Sequence, residues 1–308
     1  MDTLTLRAGL RPMPLTDPLL QGAVDSGRLT ITACGATPYT DTFRRMAREL
    51  AYDIAEMPVV TQLLLADTKA PVTAMPIVLA GGGLPHGSLL CLTDSEINGA
   101  SALRGKRIGI RGYAQTTGVW IRGVLQHEFG VEPQELKWIT TEGSHVATFE
   151  DPANVTRSNH SDLIAMLRAR EVDAIVASPH VVKGATDLRP VIADAQAAAQ
   201  AWAKREGICG VNHVLSVQTS LIQEHPWIVE ELARRFTAAK EWAEQHAGDG
   251  KRFAAFGDDP NRHSVDLLLR YAYEQGMTTR RFRYDDLFVA WPKLEGNSGI
   301  SGAAVISV

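Results

Sequence analysis

The chain has few cysteines: Cys34, Cys91 and Cys209 in 308 residues. An odd number at such wide spacing fits neither a disulfide framework nor a zinc knuckle, and the three read as small buried hydrophobes. It also lacks an excess of charge of one sign. The net charge is −4, with Lys and Arg scattered along the chain, so there is no basic footprint for a phosphate backbone and nucleic acid is not expected as a partner. No run of about 18 apolar residues occurs, which argues against a transmembrane helix and a membrane partner. Met1-Asp2-Thr3-Leu4-Thr5-Leu6-Arg7 alternates like a strand and lacks the apolar core and cleavage site of a secretory signal, so a cytoplasmic location is expected. Walker and dinucleotide spacings are missing, as is a Gly-x-Ser-x-Gly elbow. No His-x-Glu or His-x₃-His pair has a matching distal ligand, and Asp258-Asp259 beside His263 is too loose to make one, so no metal is expected.

What remains is ordinary globular composition, 45% apolar and 21% charged, in a chain long enough for two domains with cores of their own. Strand-like and helix-like segments alternate from the start, which predicts an α/β fold of mainly parallel sheets flanked by helices. Strands are expected over 4–10, 29–33, 52–57, 73–79 and 88–93, with helices over 17–24 and 42–49. A second cycle follows: strand 106–110, helix 116–129, strand 136–140, helix 161–170 and strand 172–177. Residues 211–217 then read as a strand rejoining the first sheet, followed by helices over 226–246 and 264–275. This order implies two lobes, 1–94 with 208–308 and 95–207, and a ligand held between them at the C-terminal ends of strands. The Gly- and Ser-rich residues 295–308 read as a tail or clasp. A homodimer is the expected assembly, with the 226–246 helix as a contact.

The most informative segment runs from Gly105 to Trp120. A strand enters a turn, Arg111-Gly112-Tyr113-Ala114-Gln115, that opens a helix at Thr116 and Thr117. Free first-turn N–H groups and the two hydroxyls there suit a carboxylate or phosphate, although an ordinary helix cap has the same pattern. Glu56 ends a short strand, where a polar contact with a ligand or a salt bridge is expected. His86 follows the glycines at 81–83, His180 follows an apolar strand, and His213 lies in the strand of the crossing back. Singly each reads as a structural histidine; three at strand ends point to a site.

These segments resemble the 4,5-dihydroxyphthalate decarboxylase family, which shares the type II periplasmic-binding-protein fold. The resemblance spans most of the chain. It rests on Phe43-Arg44-Arg45-Met46 leading to Tyr52-Asp53-Ile54-Ala55-Glu56-Met57, on His86, and on Leu103-Arg104-Gly105-Lys106-Arg107-Ile108-Gly109. It continues through Tyr113, Trp120-Ile121-Arg122-Gly123, His213, Asn261-Arg262-His263 and Tyr273-Glu274-Gln275-Gly276. The chain departs from the family at 111–115, where a Pro-Glu-Tyr-Gln-Met type of sequence is usual, and over 143–159.

The resemblance implies cofactor-independent loss of CO₂ from a hydroxylated aromatic carboxylate such as 4,5-dihydroxyphthalate, giving protocatechuate. Thr116 and Thr117 with Arg111 or Arg122 would hold a carboxylate, Tyr113 and His180 would line the site, His86 or His213 would donate the proton, and Glu56 would polarise the phenol. Arg122 reads equally as a surface cation or a brace between lobes. The alternative on the same fold is a solute-binding or sensor protein for a small aromatic or heteroaromatic carboxylate, without chemistry.

Overall fold

The computed structural model describes residues 3–24, 27–81, 83–178, 181–248 and 250–294. By contact the chain divides into two units. The first comprises Met1–Gly83, Val211–Asp266 and Phe282–Val308, and the second Leu84–Gly210 and Leu267–Arg281.

The first unit holds strands β1 (Leu4–Gly9), β2 (Leu29–Ala33), β3 (Ile54–Pro58) and β4 (Val72–Gly81), with helices α1 (Asp17–Leu20), α2 (Thr40–Glu49) and α3 (Val59–Asp67). The second holds β5 (Leu89–Leu92), β6 (Arg107–Ile110), α4 (Thr116–Phe129), β7 (Lys137–Thr140), β8 (Val155–Arg157), α5 (Leu163–Arg168), β9 (Ala174–Val176), β10 (Leu188–Pro190) and α6 (Ala195–Glu206). The chain then returns with β11 (Val211–Gln218), α7 (Thr219–Glu224) and α8 (Ile228–His246). Helix α9 (Asp258–Glu274) starts in the first unit and ends in the second.

The first sheet has the order β2-β1-β3-β11-β4 and the second β10-β5-β9-β6-β7-β8. Each is mainly parallel with one reversed strand. In the first sheet this is β11, antiparallel to both β3 and β4; in the second it is β5, antiparallel to β9 and β10. Each unit is therefore the α/β arrangement that the strand and helix order predicts. The first sheet buries Leu6, Ile54, Met75, Ile77, Leu215 and Val217 beneath Leu232 and Phe236 of α8.

Several boundaries differ from the sequence expectation. Strand 88–93 was expected to close the first lobe, but as β5 it pairs with β9 and β10, so the first crossing falls after Gly83. Residues 267–281 join the second unit because Gln275 and Tyr271 pack on α4. Helix α3 has no sequence counterpart because Val59 to Leu65 are buried on every side, which erases the amphipathic period. Strands β8 and β10, three residues each, are too short to show alternation. The tail 295–308 lies outside the described residues. Among the described residues no helix is long and apolar enough to cross a membrane.

Candidate functional site

The polar cluster of the first unit is built by antiparallel pairing. Strand β11 runs beside β3 with His213 opposite Pro58 and Leu215 opposite Glu56. Residues two apart on a strand share a face, so Glu56 and His213 are diagonal neighbours although 157 positions separate them in sequence. On its other side β11 shifts register against β4 around His213, an irregularity of the bulge type that re-aims a side chain.

Glu56 is fully buried. Its Oε1 accepts from His213 Nδ1 at 2.5 Å and faces Arg11 Nη2 at 3.1 Å. Its Oε2 accepts from Arg11 Nε at 3.1 Å and from the Tyr39 hydroxyl at 3.0 Å. Burial by itself would raise the Glu56 carboxyl. The hydrogen bond and charge of His213, the charge of Arg11 and the Tyr39 hydroxyl outweigh it and hold the group below the usual carboxylate range, so Glu56 is a carboxylate at neutral pH. Burial, followed by the Glu56 charge and hydrogen bond, pushes the Tyr39 hydroxyl far above the usual phenol range and leaves it a neutral donor.

The His213 ring is held on two sides. Nδ1 bonds to Glu56, and the Phe43 ring meets it edge-on at 5.1 Å. With Nδ1 directed at a carboxylate, the ring orientation is set and Nε2 is the nitrogen left to act. The His213 side chain keeps 17% of its surface exposed, and no described residue bonds Nε2. A buried anion orienting a partly exposed imidazole is the geometry of a general acid or base.

The sequence pointed to Glu56 and His213 but not to Arg11 or Tyr39. Arg11 lies two residues past the C-terminal end of β1, the edge where parallel sheets bind ligands, and that position was the available signal. Tyr39 stands immediately before α2, and no sequence pattern marks it. Full burial with both oxygens engaged also corrects the expectation for Glu56: it stands behind His213 and orients it, and contact with a phenol is not open to it.

The other expected residues belong to the second unit. His86 sits in the 3-10 turn Pro85–Ser88, 1% exposed, its ring 5.3 Å from that of Trp202 and its Nδ1 without a hydrogen-bond partner. Burial, assisted by the charge of Arg205, pushes its pKa down to about 4, so the imidazole is neutral near pH 7. Thr116 is buried and Thr117 half-buried in the first turn of α4, which Gln115 precedes without a side-chain cap. Arg111, half-buried, faces Glu142 at 3.6 Å and, with the Gln115 amide turned to suit it, the Gln115 oxygen at 2.7 and 2.8 Å. His180 lies outside the described residues.

Arg122 is neither a surface cation nor exposed to a ligand. It is fully buried, with Nε donating to Gln275 Oε1 at 2.7 Å and Nη2 to the Tyr113 carbonyl at 2.9 Å. Its guanidinium lies 3.8 Å above the ring of Tyr113, itself 2% exposed, so both side chains brace the interior of the unit. Gln275 also donates to the Val119 carbonyl at 2.9 Å, and Trp120 meets Tyr271 edge-on. A Cβ at Gly123 would overlap the Tyr271 ring. The segments 120–123 and 271–276, two of the most specific parts of the resemblance, are thus the two faces of one packed joint. Among the described residues no cluster of three metal-ligating side chains forms.

No protein-family model matches the chain. It is similar to the 4,5-dihydroxyphthalate decarboxylase of Comamonas testosteroni, with 25% identity covering 80% of this chain and 85% of that one. It is also similar to the 4,5-dihydroxyphthalate decarboxylase of Pseudomonas putida, with 29% identity covering 53% of this chain and 67% of that one. The resemblance read from the sequence is therefore borne out. Among solved structures, the periplasmic aliphatic sulphonate binding protein SsuA from Escherichia coli superposes with a TM-score of 0.60 at 10% identity, covering 94% of this chain and 98% of that one. The fold is that of the SsuA-type periplasmic binding proteins, as expected.

Proposed function

We propose that this protein is a decarboxylase acting on a hydroxylated aromatic carboxylate of the 4,5-dihydroxyphthalate type. The observation that carries the reading is the His213 imidazole, fixed at Nδ1 by a buried carboxylate and open at Nε2. Similarity to two decarboxylases supports it.

The chemistry needs one group that moves a proton to carbon. A hydroxyl para to the carboxylate feeds electrons into the ring, and protonated His213 delivers a proton from Nε2 to the ring carbon that bears the carboxylate. The hydroxyl proton has by then passed to solvent, so protonation at carbon gives a neutral dienone. The bond to the carboxylate then breaks, CO₂ departs, its bonding electrons restore the aromatic ring, and the hydroxyl oxygen regains its proton. The sum consumes one proton and one carboxylate and yields CO₂ and a ring C–H. The substrate supplies its own electron sink, so the role of the protein is to orient and to transfer protons, worth about 10²–10⁴ in rate for a positioned acid. Glu56 holds the imidazole in one orientation through its bond to Nδ1.

The test is direct. Purified protein incubated with 4,5-dihydroxyphthalate should release CO₂ and 3,4-dihydroxybenzoate in equal amounts, and His213→Gln should abolish most of the release. Tight binding of the acid with no release, at any pH between 5 and 9, would leave a binding protein and end the decarboxylase reading.

A further inference from the structure

Arg11 has no part in the proton transfer described above, yet it is built as a binding group. Its backbone carbonyl accepts from the hydroxyl of Thr16, a fully buried residue, at 2.6 Å. Its guanidinium sets Nε and Nη2 on the two oxygens of Glu56, each at 3.1 Å, and lies 5.9 Å from the centre of the Tyr39 ring. An exposed arginine ordinarily loses rotamer freedom when a ligand orders it. Here that ordering is complete before a ligand arrives, although the side chain is 39% exposed. No described residue takes a hydrogen bond from Nη1.

Arg11 and His213 meet on the same atom, Glu56 Oε1. One carboxylate therefore anchors two side chains, and each keeps an outer nitrogen unengaged. One can protonate carbon and the other is a fixed cation. A ring with a hydroxyl para to a carboxylate calls for that pair, because negative charge stands on the hydroxyl oxygen before the proton arrives and returns to it as the carboxylate bond breaks.

Resting on the decarboxylase reading, we propose that Arg11 holds the ring oxygen para to the departing carboxylate as a phenolate, making the para hydroxyl the feature by which the protein selects its substrate. A cation within hydrogen-bond reach of a phenol favours its ionised form by about 1–3 pKa units. The protein would then bind 3,4-dihydroxybenzoate as the phenolate at a pH where the free acid keeps its phenolic proton, and would not turn over a substrate methylated at that oxygen.

The experiment follows the phenolate absorbance of bound 3,4-dihydroxybenzoate against pH in wild type, Arg11→Gln and Arg11→Lys, beside turnover of 4,5-dihydroxyphthalate. In wild type the bound phenol should ionise about 1–2 units lower than the free one. Arg11→Gln should return it to the free value and lower turnover about 10²-fold, as loss of one oxyanion donor does. Arg11→Lys, which keeps the charge, should restore part of both and melt like wild type, which separates loss of the cation from loss of the fold. An unchanged phenolate shift in Arg11→Gln overturns the inference. So does a wild type that releases CO₂ but binds the phenol un-ionised, while leaving the decarboxylase reading intact. A wild type that neither releases CO₂ nor binds the phenol removes that reading and this inference with it.

Discussion

Replacing Glu56 with Gln removes the charge on which Arg11, Tyr39 and His213 converge, at nearly constant volume. Four donor contacts reach the two oxygens, at 2.5, 3.0, 3.1 and 3.1 Å. A carboxamide has one oxygen, and its NH₂ must face donors, so about two of the four contacts lose their acceptor. Hydrogen bonds to a charged group contribute about 1.5–3 kcal/mol each, which puts the loss at about 3–6 kcal/mol. Arg11 is 39% exposed and can turn to water, which discounts its share, so about 2–4 kcal/mol remains.

At about 2 °C per kcal/mol for a chain of this size, the melting midpoint at pH 7 should fall by about 4–8 °C. The loss should also depend on pH with a definite sign. The Glu56 carboxyl is held below its ordinary value in the folded protein. Its stabilisation is therefore fully present above the unfolded carboxylate value near 4.5 and disappears as pH falls through the lower folded value. Circular dichroism melts of wild type and Glu56→Gln should be well separated at pH 7 and draw together below pH 4.5. Equal midpoints at pH 7, or a gap that stays constant down to the acid limit, would refute the view that a buried carboxylate holds this cluster together.

Glu56→Gln should also lower decarboxylation by about 10–10²-fold, because supporting partners of a functional histidine typically contribute that much, and combining it with His213→Gln should cost little beyond His213→Gln alone. Steady-state kinetics on the three variants checks this, and independent, multiplying losses would mean that the two side chains do not act as a pair. Gly123→Ala should destabilise by about 1–3 kcal/mol despite the better helix propensity of Ala, since its Cβ would lie 2.5 Å from Tyr271 Cγ and Cε2 in a buried joint; an unchanged urea midpoint would disprove the packing. Gln275→Leu should be worse, because it strands the buried Arg122 guanidinium, and a melting midpoint within 2 °C of wild type would contradict that on the scale of about 3–5 kcal/mol for breaking a buried charged contact. The folded His86 has its pKa lowered to about 4, so the neutral ring stabilises above about pH 6.5, and that contribution is lost as pH falls toward 4. His86→Phe should flatten this limb of the stability curve while leaving the midpoint at pH 7 little changed, and an unaltered limb would show that His86 does not titrate on unfolding.

The sequence by itself determined the local elements and the class of fold, because strand alternation and the placement of turn residues act over a few positions. Helix Thr116–Phe129 and strand Leu29–Ala33 match their expected bounds for that reason. It also singled out Glu56 and His213, each from its place at or near a strand end. That the two touch was decided only by the tertiary structure, since the register of β11 against β3 depends on which faces are buried across 157 positions of chain. The same holds for Arg11 and Tyr39, which carry no local mark and acquire a role only from the carboxylate they meet. Arg122 shows the reverse case. From its charge and position it read as a surface cation, a brace between lobes or a ligand for an anion, and burial over the Tyr113 ring makes it part of the interior. A residue's type states what it is able to bind; what it does bind depends on neighbours that local pattern does not specify.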